Sequence, residues 1–103
     1  VTCFNDQTPS NIGFLDQLAK LIAERHNTMP EDSYTASLFA EGKALIAQKV
    51  GEEGVELALA RMKDDSAEIA NEAADLLFHM MVLLEDAGLS LADAISVLQN
   101  RHK

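Results

Sequence analysis

Residues 43–62, KALIAQKVGEEGVELALARM, and residues 67–87, AEIANEAADLLFHMMVLLEDA, decide the fold of this chain. Both stretches are dominated by residues that favour helices, and in both the apolar residues recur at helical spacing. Between them, Asp64, Asp65 and Ser66 supply the residues of a turn and of a helix N-cap. Two long helices joined by so short a connection are predicted to pack antiparallel.

Shorter segments flank this helical pair. The sequence predicts a helix over about residues 14–25, then a loop, and at most a short helix over 35–41. A last helix is predicted over 91–101, where Ser90 and Asp93 have the spacing of a capping box. No segment shows sustained alternation with a period of two residues. The predicted fold is therefore all-α, a bundle of about four helices per protomer.

The apolar run at residues 76–84 predicts a subunit interface. A helix that is apolar on nearly every side has to be buried all round, and a chain of 103 residues has few elements of its own to cover it. We therefore expect an obligate homodimer that completes the bundle, with Phe78, Met81 and Leu84 in its interface.

Length and charge narrow the class of protein. The chain suffices for one domain, predicted over residues 14–103 after a tail or linker at 1–13. Its net charge of −9 argues against nucleic acid or an anionic membrane surface as a partner. No apolar run is long enough to span a bilayer, and the single cysteine, Cys3, cannot form an internal disulfide. We expect a cytoplasmic protein.

Acidic residues interrupt the apolar face of both long helices. When each helix is drawn at 100° per residue, Glu53 lies inside the apolar stripe of the first and Glu72 inside that of the second. Glu56 and Asp75 follow them at i+3, the spacing that places two side chains on one face. If the two faces meet, four carboxylates converge in a low-dielectric groove. Such a groove requires either protonation of some carboxylates or bound cations.

Carboxylate oxygens of this kind suit a hard divalent cation such as Mg²⁺, with Mn²⁺ as a substitute. A site of that type can polarise a phosphoanhydride and activate water. The alternative is an acidic groove whose carboxylates are merely solvated. A di-iron carboxylate bundle is set aside because it requires Glu-x-x-His pairs, and Leu76 stands where His79 would need its acidic partner.

Two short motifs carry a family resemblance. The segment GEEGVE at 51–56, followed by EAAD at 72–75, resembles the EExxE…ExxD signature of MazG-like all-α nucleoside triphosphate pyrophosphohydrolases. Longer segments narrow the resemblance to the phosphoribosyl-ATP pyrophosphohydrolase family, and it covers about residues 15–103. These segments are PEDSYTASLFAEG at 30–42, QKVGEEGVEL at 48–57, NEAADLLFHMMVLL at 71–84 and AGLSLADAISVLQNRHK at 87–103. Gly54 departs from the family pattern, which more often has a helix former there.

The first six residues carry a second resemblance. VTCFND at 1–6 resembles the end of the phosphoribosyl-AMP cyclohydrolase domain that precedes this one in bifunctional histidine-biosynthesis proteins. We therefore expect the C-terminal domain of such a fusion. A free-standing enzyme with an unusual tail is the alternative.

The main resemblance implies an activity and a metal site. It implies Mg²⁺-dependent hydrolysis of phosphoribosyl-ATP to phosphoribosyl-AMP and pyrophosphate by a dimer of helical protomers. It assigns Glu52 to an outer-shell or water-activating role and Lys49 to phosphate contact. By matching position, it implies that the metal is held by four carboxylates, those of Glu53, Glu56, Glu72 and Asp75.

Further residues are candidates for contact with the substrate, each with a plainer alternative. We expect contacts from Lys43 and Arg101, and from Ser33 and Tyr34 in the predicted loop. The plainer alternative is a solvated side chain for Lys43 and for Arg101, which would otherwise reach a phosphate of the neighbouring subunit, and packing for Tyr34. For Lys49 the alternative is an intrahelical ion pair with Glu52 or Glu53. His79 is predicted to be a satisfied core or interface histidine.

Two rival functions follow from the same residues. One is a house-cleaning pyrophosphohydrolase that acts on dNTPs or modified nucleotides with the same metal site. The other is a non-catalytic helical dimerisation module whose acidic residues form only a solvated face.

Overall fold

The computed structural model describes residues 11–102, and this part of the chain is all-α, as predicted. Residues 1–10, which hold most of the predicted tail and Cys3, lie outside the described residues. No strand occurs among residues 11–102. Five helices follow one another, and these are α1 (Phe14–Thr28), α2 (Tyr34–Glu41), α3 (Lys43–Lys63), α4 (Ser66–Asp86) and α5 (Leu91–Arg101).

The segment before α3 is more helical than the sequence predicted. Helix α1 ends three residues later than expected, and α2 is a full eight-residue helix. Tyr34 therefore begins α2 and does not lie in a loop, so that prediction is wrong for Tyr34, whereas Ser33 stays outside the helix with an extended backbone. Ser33 is the N-cap of α2, and its hydroxyl oxygen accepts a hydrogen bond from the backbone N–H of Ala36 at 3.1 Å. Such an N-cap satisfies a helix donor that would otherwise have no partner.

Helices α3 and α4 form the antiparallel hairpin that the sequence predicts. Asp64 ends α3 with a left-handed backbone conformation, at a φ of 56°. Asp65 then caps α4, and its carboxylate accepts a hydrogen bond from the backbone N–H of Glu68 at 3.2 Å. The contact between these two helices is the most extensive in the protomer. Ile46, near the start of α3, lies in one cluster with Met81 and Val82, near the end of α4.

The core occupies one end of this hairpin. Ile22 of α1 and Leu38 of α2 pack there, and both are almost fully buried. Met81 belongs to the same core and is only 4% exposed, so the prediction that it lies in a subunit interface is wrong. Other helices of the same chain cover this part of α4, because α1 and α2 pack against the hairpin.

The other end of the hairpin projects beyond the core. Val55, Leu59 and Met62, in the second half of α3, are 61%, 56% and 80% exposed. The radius of gyration is 15.6 Å, whereas a compact domain of this length has about 13 Å. Within residues 11–102, part of the two longest helices thus has no packing partner.

Helix α5 has a capping box but no buried residue. The Asp93 carboxylate accepts a hydrogen bond from the backbone N–H of Ser90 at 2.8 Å, which confirms the predicted pairing. The helix has an apolar face, of which Ile95 and Leu98 are 45% and 52% exposed. None of the five helices combines the length and apolar character needed to cross a membrane.

Candidate metal centre

Three of the four predicted carboxylates converge where the hairpin leaves the core. Glu53 and Glu56 lie one turn apart on α3 and face Glu72 on α4. Each can place one carboxylate oxygen within 4.8 Å of the other two. Asp75 is exposed and does not join this three-oxygen cluster, although its charge acts on both Glu53 and Glu72. The helical spacing accounts for this arrangement, because i+3 pairs on two facing helices meet across their interface.

Burial and mutual repulsion make negative charge unfavourable in this cluster. Burial raises the pKa of Glu53 above its ordinary value; His79 opposes that effect, and Asp75 and Glu56 add to it. Burial also raises the pKa of Glu72, and the carboxylates of Glu56, Asp75 and Glu53 raise it further. Carboxylates crowded in this way gain from a proton or a cation in their midst.

Glu72 has a buried oxygen atom that a bound cation or water molecule would satisfy. Its Oε1 atom is buried and has no hydrogen-bond partner within residues 11–102. A buried polar atom without a partner is costly, and such atoms in native proteins call for an explanation. The residues present fit a divalent cation, because oxygen donors from Asp and Glu are the preferred ligands of Mg²⁺ and Mn²⁺.

His79 lies directly behind Glu53. Its Nδ1 atom is 2.8 Å from Oε1 of Glu53 and 2.9 Å from the backbone carbonyl oxygen of Asp75. Its Nε2 atom is 3.0 Å from the hydroxyl oxygen of Tyr34. The imidazole is buried and fully partnered, which confirms the prediction of a satisfied core histidine. The contact with Glu53 is a feature that the sequence reasoning missed.

Lys49 and Glu52 flank the cluster on α3. Lys49 is half-buried, one turn before Glu53, and forms no ion pair with any residue of the described range. The intrahelical pair considered as the alternative for Lys49 is therefore not formed. Glu52 is exposed, as its position on the helix predicts, and its carboxylate accepts a hydrogen bond from the side-chain amide of Gln48 at 3.0 Å.

The remaining predicted substrate contacts are spread over the protomer. Tyr34 is the one that reaches the cluster, through His79. The Ser33 hydroxyl is used as the cap of α2. Lys43 begins α3, ten residues before Glu53, which corresponds to about 15 Å along a helix. Arg101 ends α5 and is exposed.

The comparison with known families identifies the family of the chain. The family model described as phosphoribosyl-ATP pyrophosphohydrolase matches residues 15–102. The chain belongs to this family. The family predicted from the longer segments at 30–42, 48–57, 71–84 and 87–103 is thus confirmed, and both acidic pairs of the sequence motifs lie within the matched region.

This member of the phosphoribosyl-ATP pyrophosphohydrolase family is similar to curated relatives along nearly its whole length. It is 51% identical over 105 aligned residues to the histidine biosynthesis bifunctional protein HisIE of Vibrio cholerae, covering 100% of this chain and 50% of that protein. It is 53% identical over 102 residues to the protein of the same name from Escherichia coli, covering 99% and 50%. The chain therefore spans about half the length of the curated relatives it matches.

Gly54, the departure from the family pattern, has space around it. A methyl group added to its α-carbon would meet no heavy atom within 4 Å apart from the neighbouring backbone of its own helix. The same is true of Gly51. Within this protomer, neither glycine is required by a close approach of another helix.

Proposed function

We propose that this chain hydrolyses the bond between the α and β phosphates of phosphoribosyl-ATP, with Mg²⁺ held by its acidic cluster. The products are phosphoribosyl-AMP and pyrophosphate, and Mn²⁺ is the expected substitute metal. Membership of the phosphoribosyl-ATP pyrophosphohydrolase family supports the substrate and the reaction. The proposed ligands are Glu53, Glu56, Glu72 and Asp75.

The observation that carries the metal proposal is the buried Oε1 of Glu72. That atom lacks a partner in the described part of the chain, and it lies in a group of carboxylates whose charges repel one another. A solvated acidic face does not produce such an atom. When bound, Mg²⁺ supplies positive charge that stabilises the leaving pyrophosphate and activates water.

The protein's own contribution is to hold the triphosphate and to accept a proton from the attacking water. Lys49 is proposed to contact a phosphate, because it is half-buried beside the cluster and its ammonium has no carboxylate partner among residues 11–102. Glu52 is proposed to assist the water, since its exposed carboxylate directly precedes Glu53 in the chain. Little covalent chemistry is required of side chains in phosphoryl transfer, so positioning and charge dominate.

We propose that the other candidate residues contact the substrate and do not bind the metal. Tyr34 lies at the start of α2 with 54% of its surface exposed and one hydrogen bond to the site. Ser33 and Lys43 are proposed to contact the substrate away from the metal. Arg101 is proposed to act from a second protomer, because α5 has no buried residue that would tie it to the acidic cluster of its own chain.

We propose a homodimer that pairs the exposed faces of α3. Val55, Leu59 and Met62 are spaced at i, i+4 and i+7 and lie roughly opposite Glu53 around the helix. Exposed apolar residues in a continuous helical stripe are typical of an interface. Helix α3 thus has one apolar face toward α4 and a second toward solvent, and a second copy of the chain would cover the latter.

We further propose that the whole protein acts in histidine biosynthesis, in the cytoplasm, with a second catalytic domain fused to this one. The support is the name of the relatives, which describes a bifunctional histidine-biosynthesis protein, and the fact that the chain spans about half of their length. The resemblance of residues 1–6 to the end of a cyclohydrolase domain supports the nature of that second domain.

Release of pyrophosphate tests the proposed activity. Phosphoribosyl-ATP, ATP, dCTP and dUTP are each incubated with the protein, with Mg²⁺ or with EDTA. We expect Mg²⁺-dependent release from phosphoribosyl-ATP and none from the other nucleotides. Release from the dNTPs would instead assign the chain to the house-cleaning enzymes.

Two ligand variants and a matched control complete the test. Glu53→Gln and Glu72→Gln are expected to lower the rate at least about 100-fold, since each removes a group that stabilises charge at the reacting phosphate. Glu68→Gln, on α4 one turn before Glu72, removes the same charge from a carboxylate paired with Lys63 and should leave the rate unchanged. Circular dichroism checks that the helices persist. Near-normal turnover in either ligand variant contradicts the proposal.

A further inference from the structure

His79 connects an exposed tyrosine to the acidic cluster. Its Nδ1 atom contacts Glu53 at 2.8 Å and the backbone carbonyl oxygen of Asp75 at 2.9 Å, and its Nε2 atom lies 3.0 Å from the Tyr34 hydroxyl. The side chains of His79 and Glu53 are only 9% and 12% exposed. The three side chains come from α4, α3 and α2, so the contact joins three helices at one point.

Nδ1 of His79 is hydrogen-bonded to the Asp75 carbonyl oxygen and lies in an ion-pair contact with Glu53, and the chemistry of these partners sets the position of the ring hydrogen. A carboxylate and a backbone carbonyl both accept, so Nδ1 must carry the hydrogen. In the neutral imidazole Nε2 then accepts, and the Tyr34 hydroxyl donates to it. Both ring nitrogens are therefore used by protein groups. His79 holds a carboxylate and is not itself placed to be a metal ligand.

Aromatic packing holds the ring of Tyr34, which is the exposed end of the series of contacts from Tyr34 through His79 to Glu53. The ring of Tyr34 stacks on that of Phe78, with centroids 6.3 Å apart and an angle of 26° between the ring planes. Phe78 also meets the edge of the His79 ring at 5.1 Å. Phe78 thus supports the Tyr34 ring whose hydroxyl contacts Nε2 of His79, although more than half of Tyr34 is exposed.

We propose that His79 is a positioning residue that fixes the Glu53 carboxylate for metal binding, and that Tyr34 fixes His79. The inference rests on the proposed metal site and extends it to two residues outside the acidic pairs. A carboxylate with one oxygen 2.8 Å from a buried ring nitrogen is restricted in its orientation toward Glu56 and Glu72, so less order is lost when a cation binds. Outer-shell partners of this kind contribute about 10–100-fold to metal affinity.

Two substitutions of His79 separate its Nδ1 contact with Glu53 from its Nε2 hydrogen bond with Tyr34. His79→Asn keeps an amide N–H near the position of Nδ1 and can still donate to Glu53. His79→Gln places its amide near the position of Nε2, so it keeps a group beside Tyr34 and loses the donor to Glu53. Tyr34→Phe removes only the hydroxyl from a half-exposed ring and leaves its packing on Phe78 in place.

Affinity for Mn²⁺ in the absence of substrate is the readout, measured by titration calorimetry on the purified chain. We expect His79→Gln to weaken Mn²⁺ binding by about 10-fold or more, and His79→Asn to weaken it less. Tyr34→Phe should weaken binding in the same direction by a smaller factor. His26→Gln is the matched control, because His26 forms the same 2.8 Å contact with Glu85 away from the acidic cluster, and its Mn²⁺ affinity should be that of the wild type.

The outcomes distinguish the inference from the function on which it rests. If the wild type binds no Mn²⁺, the proposed metal site falls, and the inference with it. If the wild type binds and both His79→Gln and Tyr34→Phe bind equally well, the positioning role is overturned while the metal site stands. A lower melting temperature of these variants without metal, at unchanged Mn²⁺ affinity, would likewise overturn it and leave a structural role. Should His79→Gln fail to fold, Tyr34→Phe alone decides.

Discussion

Glu53 and Glu72 occupy equivalent positions on their helices, yet the protein compensates their charges differently. Nδ1 of His79 lies 2.8 Å from Oε1 of Glu53, and the electrostatic interaction with His79 lowers the pKa of Glu53 against the effect of burial. Glu72 has no such partner in the described chain, and the neighbouring carboxylates add to the effect of burial on its pKa. A bound cation would therefore offset more electrostatic repulsion at Glu72 than at Glu53.

This difference predicts unequal effects of neutral substitutions on stability. In the presence of EDTA at neutral pH, we expect Glu72→Gln to raise the melting temperature, because it removes a partly buried charge that faces other carboxylates and has no cationic partner among residues 11–102. Glu53→Gln should raise it less, since that change also takes away the charged partner of His79. Thermal unfolding followed by circular dichroism measures both. A melting temperature of Glu72→Gln at or below that of the wild type would mean that its carboxylate is well solvated.

At the scale of single helices, the periodicity of the apolar residues was sufficient to predict which way α3 faces. Drawing α3 at 100° per residue places Ile46 and Ala60 within about 20° of Glu53, and all three are buried. The same reasoning missed the contact between His79 and Glu53, because it gives the direction of a side chain and not its register across the hairpin.

Local signals also explain where the sequence prediction stopped short. Ser33 was not recognised as an N-cap, so α2 was expected to be at most a short helix after a loop. Once α2 is present, it packs on the hairpin and helps bury Met81 within the protomer. For that reason, the prediction that Met81 lies in a subunit interface was wrong. A tertiary contact decided the exposure of that residue, and helical periodicity alone contains no such information.

Substitution of Gly54 tests whether another chain packs against α3 at this position. A methyl group fits there without a contact inside the protomer, and glycine in a helix interior costs about 0.5–1 kcal/mol relative to alanine. We expect Gly54→Ala to raise the free energy of unfolding by roughly that amount, measured by urea denaturation. Ala58→Gly, on the same helix and exposed, should lower it by a similar amount. A loss of stability in Gly54→Ala would show that another chain approaches the backbone at this point.

At the scale of the whole molecule, the exposed stripe on α3 predicts the oligomeric state. We expect a mass of twice 11.2 kDa by light scattering at micromolar concentration. Leu59→Glu places a charge in the middle of the stripe and should yield a monomer. Gln17→Glu adds the same charge to an exposed position of α1 and should leave the dimer intact. A monomeric wild type, or a dimer that survives Leu59→Glu, contradicts an interface built on this face.

The raised pKa values of Glu53 and Glu72 predict opposite effects of pH on the protein with and without metal. Between the ordinary and the raised pKa, the folded state binds more protons than the unfolded state, so the stability of the metal-free protein falls as pH rises through this window. Metal binding needs both groups deprotonated, so the rise in melting temperature on adding Mg²⁺ should be small near the ordinary pKa of a glutamate and should grow as the pH rises through the raised pKa values. A double substitution of both residues by Gln removes the two titrating groups and should flatten both trends. If Mg²⁺ stabilised the wild type equally at both ends of this range, cations would be binding elsewhere on a surface of net charge −9, and the acidic cluster would not be the site.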